Sequence, residues 1–364
     1  MITIDGAQGG GQIVRTAVSF SALSGRAVRV VNIRGARPNP GLRLQHLLAV
    51  RAIGELCAGR VSGAQIGSTE IEFTPGSIEP PASWRLDMAG PRPAGADMAA
   101  EGLAIGSAGS IMLLLQALLP CLAAAQHPVQ MVLTGGTNNP WAPPFEYFWL
   151  VLLPLLRRMG VHVEAELVAR GFYPRGGGEV RLRAEAKLPV KPVALLERGT
   201  LERVRGVSYS ANLPGHVSQR MARSCRQRLR TAGVAADEFL LDTVTPSVGP
   251  GCGIIAIAEF EHTVIAADAL GERGKPAEKV GVEAAESLLR DLESGAAVDV
   301  HMGDQLVAWV AMAEGESAYL APRRSDHLVS AVEVARQVMG ARFDLRGETP
   351  VEVRCKGMRL ARQA

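Results

Sequence analysis

The order of hydrophobic and polar positions along this chain is repeated three times. Each copy predicts a strand, a helix, a strand, a helix and two further strands, although the first strand of the second copy is unclear. A repeat on this scale indicates that one structural unit occurs three times. In the first copy the predicted strands are Met1–Ile4, Val28–Arg34, Val61–Ile66 and Thr69–Thr74, and the predicted helices are Gln12–Leu23 and Leu42–Cys57.

The second and third copies repeat this order with different loops between the elements. The third copy is predicted to run from Val298 to the end of the chain, with helices near Asp304–Ala313 and His327–Met339. Because the same loop recurs in each unit, we expect these loops to converge on a shared site. The elements predicted for the second copy are the helices Ser107–Ala124 and Phe145–Met159 and the strands Val129–Thr134, Val161–Val168 and Glu179–Leu182.

Two segments interrupt the repeat. Pro75–Glu101 is rich in proline, alanine and glycine and predicts a surface excursion. Residues 197–296 form a longer insert that predicts a separate lobe, so the chain divides into a large domain at 1–196 and 297–364 and a small domain at 197–296. The elements predicted for the insert are the strands Val204–Ser208, Gly253–Phe260 and Thr263–Ala267 and the helices Val217–Thr231 and Ala277–Leu292.

Composition indicates a soluble globular protein with a large core. The chain has 364 residues, of which 47% are hydrophobic and 21% are charged. The longest apolar run, Ile111–Ala125, contains Gln116 and is shorter than the about 18 residues that a membrane helix needs, so no membrane partner is expected. Met1–Ile4 predicts a strand and not a signal peptide, and five scattered cysteines fit a reduced, cytoplasmic compartment. The net charge of +3 does not by itself indicate nucleic-acid binding.

Two loops of the first copy carry groups that bind anions. Residues 5–12 are rich in glycine, which lets backbone N–H groups approach a phosphate, although taken alone they favour a tight strand-to-helix turn. The next loop holds Arg34, Arg37 and Arg43, and guanidinium groups bind phosphate in a bidentate manner. A solvated basic turn is the alternative, but the position of Arg15 near the preceding helix start favours a phosphate site.

Loops of the later copies contain a proline-rich turn and a histidine at a helix start. The turn Thr137–Pro144 either offers an apolar surface on which a nucleobase can stack or packs inside the protein. Asp304 and Gln305 are predicted to start one helix and His327 another, and a helix N-terminus favours the neutral, nucleophilic form of histidine. An ordinary structural role is more common for any single histidine. No metal-ligand spacing involves the remaining histidines, which are taken as structural: His46, His127, His162, His216 and His262.

In the order of its motifs the chain resembles the RNA 3′-terminal phosphate cyclases over nearly its whole length. The resemblance implies an α+β fold with three repeated units, each of two helices and a four-stranded sheet, related to the enolpyruvate transferases. It also implies a smaller inserted α/β domain. The matching segments are Ile4–Arg15, Pro40–His46, Gly106–Ser110, Gly135–Pro144, Gly171–Gly178, Gly249–Gly253, Gly271–Glu278 and Asp304–Leu306.

The resemblance further implies ATP-dependent, ligase-type nucleotidyl transfer. In the family a histidine attacks the α-phosphate of ATP and becomes covalently bound to AMP, with Mg²⁺ or Mn²⁺ as the accompanying ion. The AMP then passes to an RNA 3′-phosphate, and the neighbouring 2′-hydroxyl attacks to leave a 2′,3′-cyclic phosphate. RNA with a 3′-phosphate end is therefore the expected partner, and a homodimer is left open.

The motifs also imply a role for individual residues. The nucleophile corresponds to His327. The residues that correspond to the RNA-phosphate site are Arg15, Arg34, Arg37 and Gln45. The residues that correspond to the nucleotide site are Gln8, Pro144, His301, Asp304 and Gln305, with Pro144 as the plate against adenine.

Two departures from the family pattern affect the expected chemistry. The first loop is two residues shorter than usual and lacks the metal-binding glutamate, so Asp5 or Asp304 is the expected metal ligand. His327 is followed by Leu-Val-Ser-Ala instead of Leu-x-Thr-Asn. Because a nucleophile at His327 has no use in a non-catalytic relative, we favour an active cyclase. The alternatives are a catalytically impaired RNA-binding relative and, on fold alone, an enolpyruvate-type transferase.

Overall fold

The computed structural model describes residues 1–8, 10–88, 109–185 and 188–358. In its first unit the sheet order is β1-β2-β4-β3, with β1 parallel to β2 and the other pairs antiparallel. Both helices pack on the sheet, and the inward-facing strand residues Val28 and Val30 are fully buried. The elements are β1 (Ile2–Asp5), α1 (Gly10–Ser24), β2 (Val28–Val31), α2 (Leu44–Leu56), β3 (Arg60–Ser62) and β4 (Ile71–Thr74).

The second unit repeats this topology and contains the strand that the sequence left unclear. Its elements are β5 (Ser83–Asp87), α3 (Ile111–Ala123), β6 (Val129–Gly135), α4 (Phe145–Tyr147), a π-helical turn (Phe148–Leu152), α5 (Leu153–Arg158), β7 (Val163–Ala169) and β8 (Gly178–Ala184). The sheet order is β5-β6-β8-β7. β5 lies within Pro75–Glu101, which the sequence predicted to be a surface segment. That prediction is wrong for β5, because the strand packs on the core through buried Trp84. Residues 89–101 of that segment, and 105–108 of the next motif, lie outside the described residues.

The insert forms a sheet that is buried on both faces. After β9 (Ala194–Leu195), its elements are β10 (Leu201–Ala211), α6 (His216–Thr231), β11 (Leu240–Asp242), β12 (Gly251–Phe260), β13 (Val264–Leu270) and α7 (Ala277–Glu293), with sheet order β11-β10-β12-β13. Residues such as Val204 and Ile254 pack against α6 and α7, whereas Tyr209 and Ile255 join the core of the repeated units. The insert has its own small core, and the other face of its sheet contributes to the core of the repeated units. The domain limits at 197 and 296 stay predictions.

The third unit has the same topology but begins before the insert. Its elements are β9, α8 (Val300–Met312), β14 (Glu316–Ala321), α9 (Asp326–Val334) with a π-helical end (Ala335–Met339), β15 (Arg342–Arg346) and β16 (Val351–Lys356). The sheet order is β15-β16-β14-β9, and Ala194 pairs with Ala318. The prediction that the third copy starts at Val298 is therefore wrong, because a two-residue strand is too short to show alternation. The predicted α+β fold with three repeated units is confirmed.

Helix α1 brings the three units together. It packs against α2 of its own unit, α3 of the second and α9 of the third. Buried apolar residues such as Val14 and Phe20 fill these contacts, and burial of each such side chain contributes about 1.5–3 kcal/mol. As a result, the N-terminal turns of α1 and α9 lie side by side. In the described part of the chain, no helix has the length and apolar character needed to cross a membrane.

Candidate active site

A cavity of about 1310 Å³ opens where the three units and the insert meet. Most of the predicted site residues line it, although they are far apart along the chain: Arg15, Arg34, Arg37, Gln45, His301, Asp304, Gln305 and His327. The predicted residues Gln8 and Pro144 and the candidate ligand Asp5 are not part of its wall. Loops of all three units therefore converge on this cavity, as expected, and most of the predicted site residues lie in its wall.

His327 is held at the start of α9 by a contact with the first unit. Ser325 caps the helix by accepting a hydrogen bond from Leu328 N at 3.2 Å, which places His327 in the first turn as predicted. The His327 Nδ1–H donates to Oε1 of Gln12, and Gln12 Nε2 donates to the His327 carbonyl oxygen at 3.4 Å. Because an amide oxygen only accepts hydrogen bonds, Nδ1 is the nitrogen that carries the proton in the neutral ring, and Nε2 then keeps its lone pair. The ring is thus fixed in the tautomer that a nucleophilic Nε2 needs.

The surroundings of His327 favour its neutral form. The side chain stays accessible from the cavity, yet the protein around the ring removes part of its hydration and lowers its pKa. The positive charges of Arg15 and Arg37 lower the pKa further, against a smaller opposing effect of Asp326. An uncharged imidazole at neutral pH is the form that attacks an electrophile.

We expect the His327 ring to titrate below its ordinary pKa of 6.5. The proton binds the ring only at more acidic pH, because the charged form is disfavoured by burial and by the arginines. Arg37→Gln removes one of these charges and should raise the pKa of His327 toward its ordinary value. Arg51→Gln, which alters an exposed arginine of α2, is the matched control and should have no such effect. NMR titration of the ring protons measures both, and a His327 pKa above 6.5 in the parent would contradict the structure.

The arginine turn concentrates positive charge on one wall of the cavity. Arg34 adopts a left-handed backbone conformation at φ 56°, and its guanidinium donates to the carbonyl oxygens of Asn39 at 2.7 Å and Gly41 at 3.0 Å. Burial lowers the pKa of Arg34, and repulsion from Arg43 and Arg37 lowers it further. These contacts show that Arg34 shapes the turn as well as adding charge. An anion bound here would relieve the repulsion among the three guanidinium groups.

Arg15, in the second turn of α1, and Arg37, in the loop after β2, line the same cavity. Arg15 is buried, and loss of hydration lowers its pKa to about 10 in spite of the nearby negative charge of Asp304. The Arg37 guanidinium lies beside Gly10, where the Nη2 atom would be 3.6 Å from a Cβ at that position. The N-terminus of α1 and these two side chains together form a place for a negatively charged group.

Another part of the cavity wall is formed by α8. Asp299 caps this helix by accepting from His301 N at 3.0 Å and Met302 N at 2.8 Å, and it also accepts from the Tyr147 hydroxyl at 2.6 Å. The helix therefore begins at Val300, and the prediction that Asp304 and Gln305 start it is wrong, since they lie in its second turn. Loss of hydration raises the pKa of Asp304 to about 6.

The proline-rich turn reaches the cavity with different residues from the one predicted. Pro144 is buried and precedes α4, where its carbonyl accepts from Tyr147 N at 3.1 Å. Trp141, Ala142 and Pro143 line the cavity instead. An apolar surface for a nucleobase in this part of the wall would therefore be formed by Ala142 and Pro143. The role of Pro144 against adenine stays a prediction without support from its position.

Comparison with known proteins places this arrangement in a family. A sequence profile described as RNA 3′-terminal phosphate cyclase matches residues 7–345. The chain belongs to this family. The RNA 3′-terminal phosphate cyclase of Methanopyrus kandleri is 42% identical over 368 residues, which cover 98% of this chain and 99% of that protein. The relative of the same name from Hyperthermus butylicus is 44% identical over 347 residues, which cover 93% of this chain and 92% of that protein.

One solved structure shows only a weak likeness to this cyclase-family chain. It is the enolpyruvyl transferase NikO from Streptomyces tendae, with 14% sequence identity and a TM-score of 0.38. The match covers 98% of this chain and 48% of that one. A likeness at this level carries no conclusion about function.

The cavity of this cyclase-family chain does not by itself form a metal site. Among the described residues, no group of three or more His, Cys, Asp or Glu side chains is placed to hold an ion. Asp5 is engaged at the end of β1, where it accepts from Ala7 N at 3.0 Å and Asn32 Nδ2 at 3.3 Å. Asp304 and Asp268 are carboxylates of the cavity wall, and burial raises the pKa of each to about 6. The protein donors therefore do not fit a resident Mg²⁺ or Mn²⁺ without further ligands.

For two residues of the site, the sequence did not predict a role in the chemistry. Gln12 orients His327 from a position 315 residues away, so no local pattern connects them. His46 is buried at the cavity wall, where its Nδ1 accepts from Arg43 N at 3.3 Å and its ring fits against Gly11 only because that residue has no Cβ. Burial and the neighbouring arginines lower the pKa of His46 to about 3, so it stays neutral. Its place directly after Gln45 in a matching motif was the available signal.

Proposed function

We propose that this chain converts an RNA 3′-phosphate into a 2′,3′-cyclic phosphate at the expense of ATP, through AMP bound covalently to His327. The observation that carries the proposal is the hydrogen bond from His327 Nδ1–H to Gln12, which leaves Nε2 as the basic nitrogen in a strongly cationic cavity. Membership of the cyclase family supports the same reaction. A cytoplasmic location and a homodimer stay predictions from the sequence.

The first step is attack of His327 Nε2 on the α-phosphorus of ATP. A P–N bond forms, the bond to the bridging oxygen breaks, and pyrophosphate leaves. An oxygen of the RNA 3′-phosphate then attacks the same phosphorus, so the P–N bond breaks and AMP becomes joined to the RNA end. Finally the 2′-hydroxyl loses its proton and attacks the 3′-phosphorus, which closes the ring and releases AMP. At each step negative charge spreads over phosphoryl oxygens.

The two walls of the cavity suit the two substrates. Arg15 and Arg37, with Arg34 and Gln45 beside them, supply charge and hydrogen bonds for the RNA phosphate and the attacked phosphorus. His301, Asp304 and Gln305 on α8 line the same cavity and would bind the nucleotide. Because the protein donors form no resident metal site, a divalent ion would enter with the ATP phosphates and neutralise part of their charge. No step is assigned to an ion held by the protein alone.

Incubation with α-labelled ATP and Mg²⁺ or Mn²⁺ tests this function. We expect label on the protein that survives denaturation and is released by acid, since a P–N bond is acid-labile. Addition of an RNA oligonucleotide with a 3′-phosphate should discharge the label and yield a terminus that resists phosphatase. A chelator should suppress labelling. Protein that takes up no label under any of these metal conditions would contradict the proposal.

The competing function is RNA binding without turnover. The shortened first loop, which lacks the glutamate of the family pattern, favours it. The same labelling experiment separates the two, because an RNA-binding relative would bind 3′-phosphate RNA and remain unlabelled. The orientation of His327 by Gln12 favours the enzyme, since mere RNA binding has no need of a fixed histidine tautomer.

Replacing Arg37 with alanine should impair transfer of AMP to RNA more than labelling of the protein. Charge-assisted contacts contribute roughly 1.5–3 kcal/mol each, so we expect about a 10- to 150-fold loss in the efficiency of transfer. Arg51→Ala, in the exposed part of α2, is the matched control and should behave as the parent. Single-turnover discharge of pre-labelled protein by RNA measures the effect at a fixed pH. Equal rates for both variants would mean that the turn around Arg37 is only a solvated basic surface.

A further inference from the structure

Two large aromatic side chains stand at the cavity without being packed into the protein. Trp141 is 95% exposed and Tyr173 is 51% exposed, yet both line the same cavity as His327 and the arginines. Most tryptophan and tyrosine side chains in a folded protein bury much of their surface. These two therefore contribute little to the stability of the fold, and their position at the cavity needs another reason.

The loop under Trp141 is held rigidly in a costly conformation. Trp141 has a left-handed backbone at φ 61°, which is uncommon for a bulky residue and usually persists only where the surroundings impose it. The residues before and after it are fixed, because Asn138 N donates to the Gly171 carbonyl at 3.2 Å and Phe145 N donates to the Thr137 carbonyl at 3.0 Å. The scaffold thus holds the backbone at Trp141 in a defined place and leaves the indole exposed.

Tyr173 is presented by a second loop that is joined to the first. Its neighbour Phe172 is buried and stacks on Tyr209 with ring centroids 6.3 Å apart. Phe172 also forms a backbone bridge with Asn138 of the tryptophan loop. Since Phe172 anchors this loop in the core, Tyr173 is left at the surface on the same side of the cavity.

We propose that Trp141 and Tyr173 form a stacking platform for the nucleobases of the RNA strand next to its 3′-terminal nucleotide. The proposal rests on the function proposed above and adds the path of the RNA strand to it. Stacking on aromatic side chains tolerates every base, which suits an enzyme that acts on chain ends. Arg175, two residues after Tyr173, and Arg273 line the same cavity and supply positive charge for the phosphates between the stacked bases.

The cavity has room for an RNA end in addition to ATP. Its volume of about 1310 Å³ exceeds the about 300–1,000 Å³ of sites for one small ligand, so there is room for a nucleotide and an RNA end together. In the function proposed above, the nucleotide binds to His301, Asp304 and Gln305 of α8, which line the same cavity. Trp141 and Tyr173 are then available to the part of the RNA strand that leads out of the cavity.

The test compares Trp141→Ala, Tyr173→Ala and the aromatic replacement Trp141→Phe in two assays. The first is labelling by α-labelled ATP without RNA, and the second is anisotropy of a fluorescent oligoribonucleotide that ends in a 3′-phosphate. We expect unchanged labelling, a rise of roughly 5- to 150-fold in the Kd for RNA with each alanine variant, and recovery with Trp141→Phe. Trp149→Ala, which alters a half-exposed tryptophan outside the cavity wall, is the matched control and should match the parent.

A second oligonucleotide, abasic at the two positions before the terminal nucleotide, shows whether bases are the ligand. It should bind the parent more weakly, and Trp141→Ala should weaken it no further. A loss of labelling equal to the loss of RNA binding would overturn the platform and assign the rings to ATP, and unchanged RNA affinity in both alanine variants would overturn it as well. Absence of labelling in the parent would contradict the proposed function but not the platform, because the anisotropy assay needs no turnover.

Discussion

Replacing His327 with alanine is expected to abolish both covalent labelling by α-labelled ATP and cyclisation of RNA 3′-phosphate ends. The Nε2 atom of this ring is the only reacting group that the proposed first step takes from the protein, and no later step proceeds without it. Removal of the nucleophile of a covalent mechanism lowers the reaction rate by several orders of magnitude. We therefore expect the rates of labelling and cyclisation to fall by more than about 10³-fold. Acid-labile label on denatured protein, counted after gel separation, measures the first step directly.

Gln12→Ala provides a graded comparison with His327→Ala. It removes the acceptor of the Nδ1–H hydrogen bond but leaves the nucleophile, so the ring loses its fixed tautomer and orientation. Labelling should become slower without disappearing. The matched control is His216→Ala, because His216 also lies at the start of a helix, α6, but is exposed and outside the cavity wall. Undiminished labelling of the His327→Ala protein, with parental circular dichroism, would show that another residue receives the AMP.

The repeated fold was predictable wherever an element was long enough to show its period. Helix α7 buries helically spaced residues, whereas α1 and β12 are long apolar segments buried on most sides, and the positions of all three agree with the pattern. The missed elements are short or unusual. β5 lies between proline-rich segments, and β9 has only two residues and is separated from the rest of its sheet by the whole insert. Such strands are specified by the partner with which they pair, which no local window of sequence contains.

The site was predictable to the extent that it lies on recognisable loops. The motifs of the family resemblance pointed to His327, to the arginines of the loop after β2 and to residues of α8, and these side chains line one cavity. Their chemical roles stay predictions. The pairing of Gln12 with His327 was not predictable, since it depends on how α1 packs against α9. The prediction of Pro144 missed the cavity by one residue, because the direction in which a turn presents its side chains depends on the conformation at Trp141.

A buried ion-pair network connects the insert to the second unit and should carry a large part of the stability of that contact. The Arg170 Nη2 atom lies 2.6 Å from Glu146 Oε1 and 2.6 Å from Asp242 Oδ2 of β11. Its guanidinium also lies 4.1 Å above the ring centre of Tyr209 in β10. Burial alone would raise the pKa of Asp242, but hydrogen bonds from Thr245 and Arg170 outweigh it and lower the pKa to about 2.

Arg170→Met is expected to destabilise the protein far more than the loss of a surface ion pair of the same length. The Arg29–Glu70 pair is also 2.6 Å long, but its side chains are 46% and 43% exposed, whereas those of Arg170 and Glu146 are 3% and 4% exposed. Removing Arg170 leaves two carboxylates without their counter-charge, which costs about 3–5 kcal/mol. The Arg29–Glu70 pair is screened by solvent, so Arg29→Met should destabilise the protein far less.

Differential scanning calorimetry at pH 7 compares the two variants, with an expected fall in Tm of roughly 4–7 °C for Arg170→Met and about 1 °C or less for Arg29→Met. The double variant Arg170→Met/Glu146→Gln separates the causes. Because it also removes one of the uncompensated negative charges, it should recover part of the lost stability if electrostatics are responsible. If Arg170→Met lowers the Tm no more than Arg29→Met does, the network does not hold the insert against the second unit, and the apolar contacts of Tyr209 and Ile255 hold it alone.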